Sequence, residues 1–301
     1  GLDTTAPVIT DIAITATNNG NGHWQYSTDG GTTWTTVSGL DGSNGLLLAD
    51  TDKIRFLPNA ENATSPTFSY RAWDRTVGTA GNLATLSATG TTSPYSTDQN
   101  TASIVVSAVN DAPVLAAGNT ALNTLTEDAA SNAGQTVASL RGTTTDVDSG
   151  AVQGLAITSL GSGNGTWQYS TDGGSTWTNA DADGPVSATH ALLLRDADRL
   201  RFVPNSANDT VAGLGYRAWD QTIGIAGGYA DTSANGGTTA FSSQENAMDI
   251  TVTAVNDAPV LASAAPVLNP ITEDDTTNPG QTVASFIGST VSDVDRSEEH
   301  T

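Results

Sequence analysis

What most constrains this chain is that it repeats itself on the scale of a whole domain. Ala-Val-Asn-Asp-Ala-Pro-Val-Leu occupies 108–115 and again 254–261, 146 residues on. Tyr-Arg-Ala-Trp-Asp at 70–74 returns at 216–220, and Arg-Phe-Leu-Pro-Asn at 55–59 is answered by Arg-Phe-Val-Pro-Asn at 201–205. Thr-Glu-Asp at 126–128 and Gly-Gln-Thr-Val-Ala-Ser at 134–139 return at 272–274 and 280–285. Trp-Gln-Tyr-Ser-Thr-Asp-Gly-Gly at 24–31 returns at 167–174, a spacing of 143, so the copies differ by three residues between this word and Arg55. Solenoid repeats run to about 20–50 residues, so a unit this long is a domain in itself.

The repeat sets the expected layout. Residues 110–255 form one complete copy, 1–109 a copy lacking its first strands, and 256–295 the opening of a third. Arg-Ser-Glu-Glu-His-Thr at 296–301 breaks the pattern and resembles the translation of a common sequencing adapter, so it is left out of fold reasoning.

Within a copy the periodicity is that of strands, and helical periodicity is absent. Ile104, Val106 and Ala108 alternate with their neighbours over 102–109, as do Ile250, Val252 and Ala254 over 249–255. Period-two alternation means one buried and one wet face. Lys53 to Leu57 alternates until Pro58 ends the run. Asp-Gly, Asn-Gly and Gly-Gly pairs supply tight turns. Short strands at regular spacing predict an all-β fold of tandem immunoglobulin-like β-sandwiches. Ser27, Asp29, Gly31, Thr33 and Trp34, repeated as Ser170, Asp172, Gly174, Thr176 and Trp177, resemble the Asp-box hairpin of sialidase propellers. One box per 143 residues is too sparse for a propeller, so the motif is read as a structural turn with the Trp packed beneath it.

Charge narrows the partners. There are 32 acidic against 10 basic residues, a formal net charge of −22, which argues against a phosphate-tracking surface and nucleic acid. No cysteine is present, which excludes disulfides and thiolate chemistry. No apolar run approaches the ~18 residues of a membrane span.

Four recurring words carry a family resemblance. Val-Asn-Asp-Ala-Pro at 109–113 and 255–259 resembles the inter-domain linker of cadherins, and Asp146-Val147-Asp148-Ser149-Gly150 their Asp-x-Asp-x-Gly loop. Tyr-Arg-Ala-Trp-Asp at 216–220 resembles the late strand ending in a ligand Asp, and Glu127 and Glu273 the early-strand glutamate. Together, over 1–295, they are similar to the cadherin-like tandem repeats of giant RTX-type bacterial adhesins exported by type I secretion. The resemblance implies Ca²⁺ at each junction between repeats. Asn110, Asp111, Asp146, Asp148 and Asp220 would serve the first junction. Glu127, Asn256, Asp257, Asp293 and Asp295 would serve the second. Asp3 and Asp74 would serve an upstream one, weakened because Thr5 stands where the other copy has Asp148. Ala112 and Ala258 replace the second linker Asn of the cadherin pattern. The implied role is a calcium-rigidified stalk of a secreted or cell-surface adhesin. Its partners would be neighbouring repeats of the same chain and a cell-surface or polysaccharide ligand bound by the full protein, without membrane insertion.

No enzyme signature competes. His23 and His190 fall at positions where the other copy has Thr166 and Asn44, whereas a duplicated active site would duplicate its base. Zinc-protease, nucleophile-elbow, phosphate-loop and dinucleotide fingerprints are missing. The alternative is a carbohydrate-binding module. Its aromatic platform would come from the six tryptophans, Trp24, Trp34, Trp73, Trp167, Trp177 and Trp219, which recur in register and so are read as core. The segment 233–241, read as a loop or an extra hairpin, is the place for a binding surface.

Overall fold

The computed structural model describes residues 10–295 except Ser87, Thr91 and Ala130. The chain divides into two compact units, 1–111 with 147–150, and 112–146 with 151–301. Both are built from strands, with only two helical turns among the described residues.

Unit 1 runs β1 Ile12–Asn18, β2 Gly22–Ser27, β3 Thr35–Thr36, β4 Asn44–Leu48, β5 Lys53–Pro58, β6 Thr67–Ala72, β7 Leu83–Thr85 and β8 Asn100–Ser103. One sheet has the order β7-β4-β1-β6-β8 and the other β3-β2-β5. Their inner faces meet at Ile14, Trp24, Leu46, Leu48, Phe56 and Phe68. Trp24 sits edge-on to both Phe56 and Phe68, with centroids 5.3 and 5.0 Å away.

Unit 2 opens with β9 Val114–Leu115, β10 Thr120–Ala121, β11 Leu125–Thr126, β12 Gln135–Thr136, α1 Val137–Leu140 and β13 Thr144–Thr145. It continues with β14 Gly154–Gly161, β15 Gly165–Ser170, β16 Thr178–Asn179, β17 Ala191–Arg195, β18 Arg199–Pro204, β19 Thr210–Trp219, β20 Tyr229–Ala230 and β21 Asn246–Thr253. Then come β22 Val260–Leu261, α2 Val283–Ile287 and β23 Val291–Ser292. The main sheet has the order β10-β21-β19-β14-β17-β20, with β11 also on β21, and it packs on β12-β18-β15-β16. The core between them holds Leu155, Ile157, Trp167, Leu200, Phe202 and Ile250. A second cluster, with Leu193, Trp219 and Phe241, buries the outer face of the main sheet. The segment 233–241 is therefore a cover: it is a loop whose Phe241 is buried against that sheet and bridges Trp219.

Two expectations need correction. The repeated Gly-Gln-Thr-Val-Ala-Ser word ends in helical turns, α1 and α2, too short to show a 3.6-residue period. In α1 the first free N–H groups are satisfied by strand-turn carbonyls, Val137 N–H by Asp198 and Ala138 N–H by Asp196. The strand expected over 102–109 is paired only as far as Ser103, apart from a bridge at Val106, whereas its counterpart β21 runs on to Thr253. The difference has a cause. In unit 2, β10 and β11 lie parallel to β21, Thr120 beside Met248 and Leu125 beside Val252. Unit 1 has no such strands among its described residues, so Ile104 is 44% exposed where Ile250 is 2% exposed.

The Asp-box turns hold themselves shut. Asp172 accepts from the Thr176 N–H (2.9 Å) and hydroxyl (2.6 Å) and from the Ser170 hydroxyl, and Asp29 does the same with Thr33 and Ser27. The Trp does not pack beneath into the core. Trp34 and Trp177 are half-buried, and the guanidinium groups of Arg55 and Arg201 lie 3.9 and 4.0 Å from their ring centroids. The threonine hydroxyl first, then the threonine N–H and the serine hydroxyl, hold Asp29 and Asp172 far below the ordinary carboxylate value of 3.8. A depressed folded-state pKa contributes stability that is present above about pH 4 and lost as pH falls toward the folded value. The Asp29→Asn, Asp172→Asn double variant is thus expected to melt lower than wild type at about pH 7 and to lose less stability on acidification below about pH 4. Parallel melting curves across that range would contradict the assignment.

Candidate metal centre

The strand order brings three carboxylates together in unit 2. Because β11 lies beside the end of β21, with Thr126 opposite Thr253, the next residue, Glu127, reaches the start of the linker. The Glu127 N–H donates to the Thr253 carbonyl at 3.1 Å, and Glu127 Oε1 accepts from the Val255 N–H at 2.7 Å. Beyond Asn256 and Asp257, β22 pairs antiparallel with β23, Val260 opposite Ser292, which returns Asp293 to Asp295 to the linker. The Asp257 N–H donates to Asp295 Oδ2, and Asp293 Oδ1 accepts from the Asp295 N–H at 3.1 Å.

One ligand oxygen each from Glu127, Asp257 and Asp295 lies within 4.8 Å of the other two. Glu127 is fully buried and Asp295 nearly so. Each spends one oxygen on a backbone N–H, and the other, Glu127 Oε2 and Asp295 Oδ1, is buried without a hydrogen-bond donor. An ionised carboxylate oxygen left this way costs several kcal/mol unless a cation meets it. Burial, then the charges of Asp295, Asp128 and Asp293, raise the pKa of Asp257. The donor set is all oxygen, which suits a hard divalent cation such as Ca²⁺ over zinc.

The other expected ligands fall as follows. In unit 1 the Asp111 N–H donates to Asp148 Oδ2 at 2.8 Å, the same bond as Asp257 to Asp295. Asn62 fixes that loop, accepting from the Ser149 N–H and donating to the Val147 carbonyl, both at 2.9 Å. No counterpart of Glu127 stands there among the described residues. Asn110 and Asn256 each donate from the side-chain amide to the next residue's carbonyl. Asp146 and Asp220 lie in unit 2, and Asp220, buried, accepts from the Thr222 N–H and hydroxyl. Asp74 holds the equivalent turn at Thr76. Asp3 lies outside the described residues. The residue missed from sequence is Asp128, whose charge bears on Asp257. It was visible as the last letter of the repeated Thr-Glu-Asp word.

Four tryptophans, Trp24, Trp73, Trp167 and Trp219, are buried, and the other two carry an arginine over the ring. His190 stacks on Tyr229 with centroids 4.2 Å apart, and its role is packing. No helix among the described residues is long and apolar enough to cross a membrane. Compared with known protein families, curated proteins and solved structures, the chain matches none of them.

Proposed function

We propose that the chain is a run of calcium-stiffened stalk repeats from a large secreted or cell-surface bacterial adhesin. The cation sits where one repeat passes into the next. The carrying observation is the Glu127–Asp257–Asp295 group, with two buried carboxylate oxygens lacking donors. Its members come from the complete repeat, the linker and the opening of the following repeat, so an ion there ties all three. Glu127, Asp257 and Asp295 would hold Ca²⁺, with Asp128 and Asp293 adding negative charge. Without the ion these carboxylates repel and the linker loosens. The role is adhesion at a distance: neighbouring repeats are the partners, the adhesive ligand belongs elsewhere in the full protein, and no catalysis is assigned.

The test is calcium titration by calorimetry, with melting and small-angle scattering in calcium and in chelator. Calcium at about 100 times its Kd is expected to stabilise unit 2 by about 2.7 kcal/mol and to lengthen the particle. Asp257→Ala is expected to remove both effects. No binding heat and no shift in melting would end the calcium reading.

A further inference from the structure

Unit 1 contains a short piece of the repeat that follows it in sequence. The chain leaves unit 1 after Asp111, returns for Val147–Gly150, and leaves again. Three successive residues of that loop each make one hydrogen bond within unit 1. The Val147 carbonyl accepts from Asn62 Nδ2 at 2.9 Å, Asp148 Oδ2 accepts from the Asp111 N–H at 2.8 Å, and the Ser149 N–H donates to Asn62 Oδ1 at 2.9 Å. Asn62 thus grips the loop backbone with both ends of its amide, and only one orientation of the amide satisfies a carbonyl and an N–H together. Gly150 then takes a φ of +80°, the left-handed turn on which the loop ends.

Asn62 is held out by a bracket that both repeats keep, bond for bond. The Asn59 N–H donates to the Asn21 carbonyl at 3.0 Å, and the Asn205 N–H to the Asn164 carbonyl at 2.9 Å. Asn21 Nδ2 donates to the Ala63 carbonyl as Asn164 Nδ2 does to that of Asp209. The Asn21 and Asn164 N–H groups each donate to a threonine hydroxyl, of Thr64 and Thr210. Ala60 and Ser206 take matching positive φ angles of 61° and 56°. The bracket presents Asn62 in one repeat and Asn208 at the same place in the other, so the asparagine belongs to the repeat's design. The position answering Ser149 opposite Asn208 is 296, outside the described residues.

We infer that Asn62 is a strap anchor that works without metal: by keeping Val147–Gly150 in unit 1 it makes the joint between repeats one of three chain passages, at 111–112, 146–147 and 150–151, in place of a single-chain hinge. The partner it fits is the Asp-x-Asp-Ser-Gly loop of the following repeat. The amide bonds to main chain at 147 and 149 and touches neither side chain through these bonds, so repeats that differ at those two positions are gripped equally well. The strap stands apart from the calcium reading. At the Glu127 group buried carboxylate oxygens call for a cation, whereas at Asn62 a neutral amide has both its bonds made. The joint that Asn62 serves therefore keeps its restraint in chelator.

The experiment is amide hydrogen exchange of the full chain in chelator, read at Ser149 by NMR, with the joint followed by spin labels. Asn62→Ala is expected to raise the Ser149 exchange rate on the order of tenfold, with the amides of β1 unchanged. Asn208→Ala, which removes the matching asparagine of the other repeat, is expected to leave Ser149 as it is. The chain has no cysteine, so labels at Thr36→Cys and Thr251→Cys, both exposed and one in each unit, report the joint through the width of their distance distribution. That distribution is expected to be narrow in chelator and to broaden when Asn62→Ala is added. A Ser149 amide that exchanges alike with and without Asn62 overturns the strap, as does a labelled Asn62→Ala chain as narrow as its parent. A parent already as broad as the variant in chelator overturns the independence from metal. Calcium titration of Asn62→Ala, which keeps Glu127, Asp257 and Asp295, reports separately on the metal reading.

Discussion

If the Glu127 group holds calcium as proposed, Glu127→Gln is expected to be more stable than wild type in chelator and less stable than wild type in calcium. The glutamine keeps the Oε1 that accepts from the Val255 N–H. Its new NH₂ replaces the oxygen that is buried without a donor and faces a group whose Asp295 Oδ1 is in the same condition. A donor placed among carboxylates contributes about 1–3 kcal/mol, and one of three crowded charges is gone. In calcium the balance reverses, because a neutral amide is a poorer ligand than a carboxylate and most of the metal-induced stabilisation is lost. Melting wild type and variant in both conditions reads this directly. Were the variant less stable in both, Glu127 would be an ordinary structural carboxylate and the group would hold no cation.

Trp167→Ala is the most destabilising single change expected away from that centre, at about 3–5 kcal/mol. The indole is almost fully buried, sits edge-on to Phe202 at 5.1 Å, and donates to the Gly161 carbonyl at 3.2 Å. Trp177→Ala is expected to cost far less, because that ring is half-buried and its main contact, Arg201, contributes only about 0.5–2 kcal/mol. Denaturant unfolding of the two variants checks the ranking. Equal costs would mean that the Asp-box tryptophan belongs to the core after all.

The contrast between these tryptophans shows where sequence reading stops. All six recur in register, so recurrence marked them as parts of the fold but could not separate a ring inside the sandwich from one outside it. That distinction depends on Arg201, 24 residues further on, whose guanidinium Gln168 draws over the ring with bonds of 2.9 and 2.7 Å. Strand pattern was legible at Lys53–Leu57, which pairs with β2 along its length, and misleading at 102–109. Alternation there records what the segment does in a complete copy, and in unit 1 the pairing strands are absent from the described residues. In the metal group, recurrence pointed to Glu127, Asp257 and Asp295 separately. Their meeting depends on two non-local pairings, β11 on β21 and β22 on β23, which no local word encodes.

The parallel seating of β10 and β11 on β21 has a mechanical consequence. They lie near the start of the complete repeat and β21 at its end, yet they run side by side in the same direction. Tension applied through the two linkers pulls these neighbours past each other lengthwise. The bonds of both short pairings are then loaded together, rather than being peeled off one after another as in a hairpin pulled from its open end. A repeat built this way resists stretch best along its own long axis.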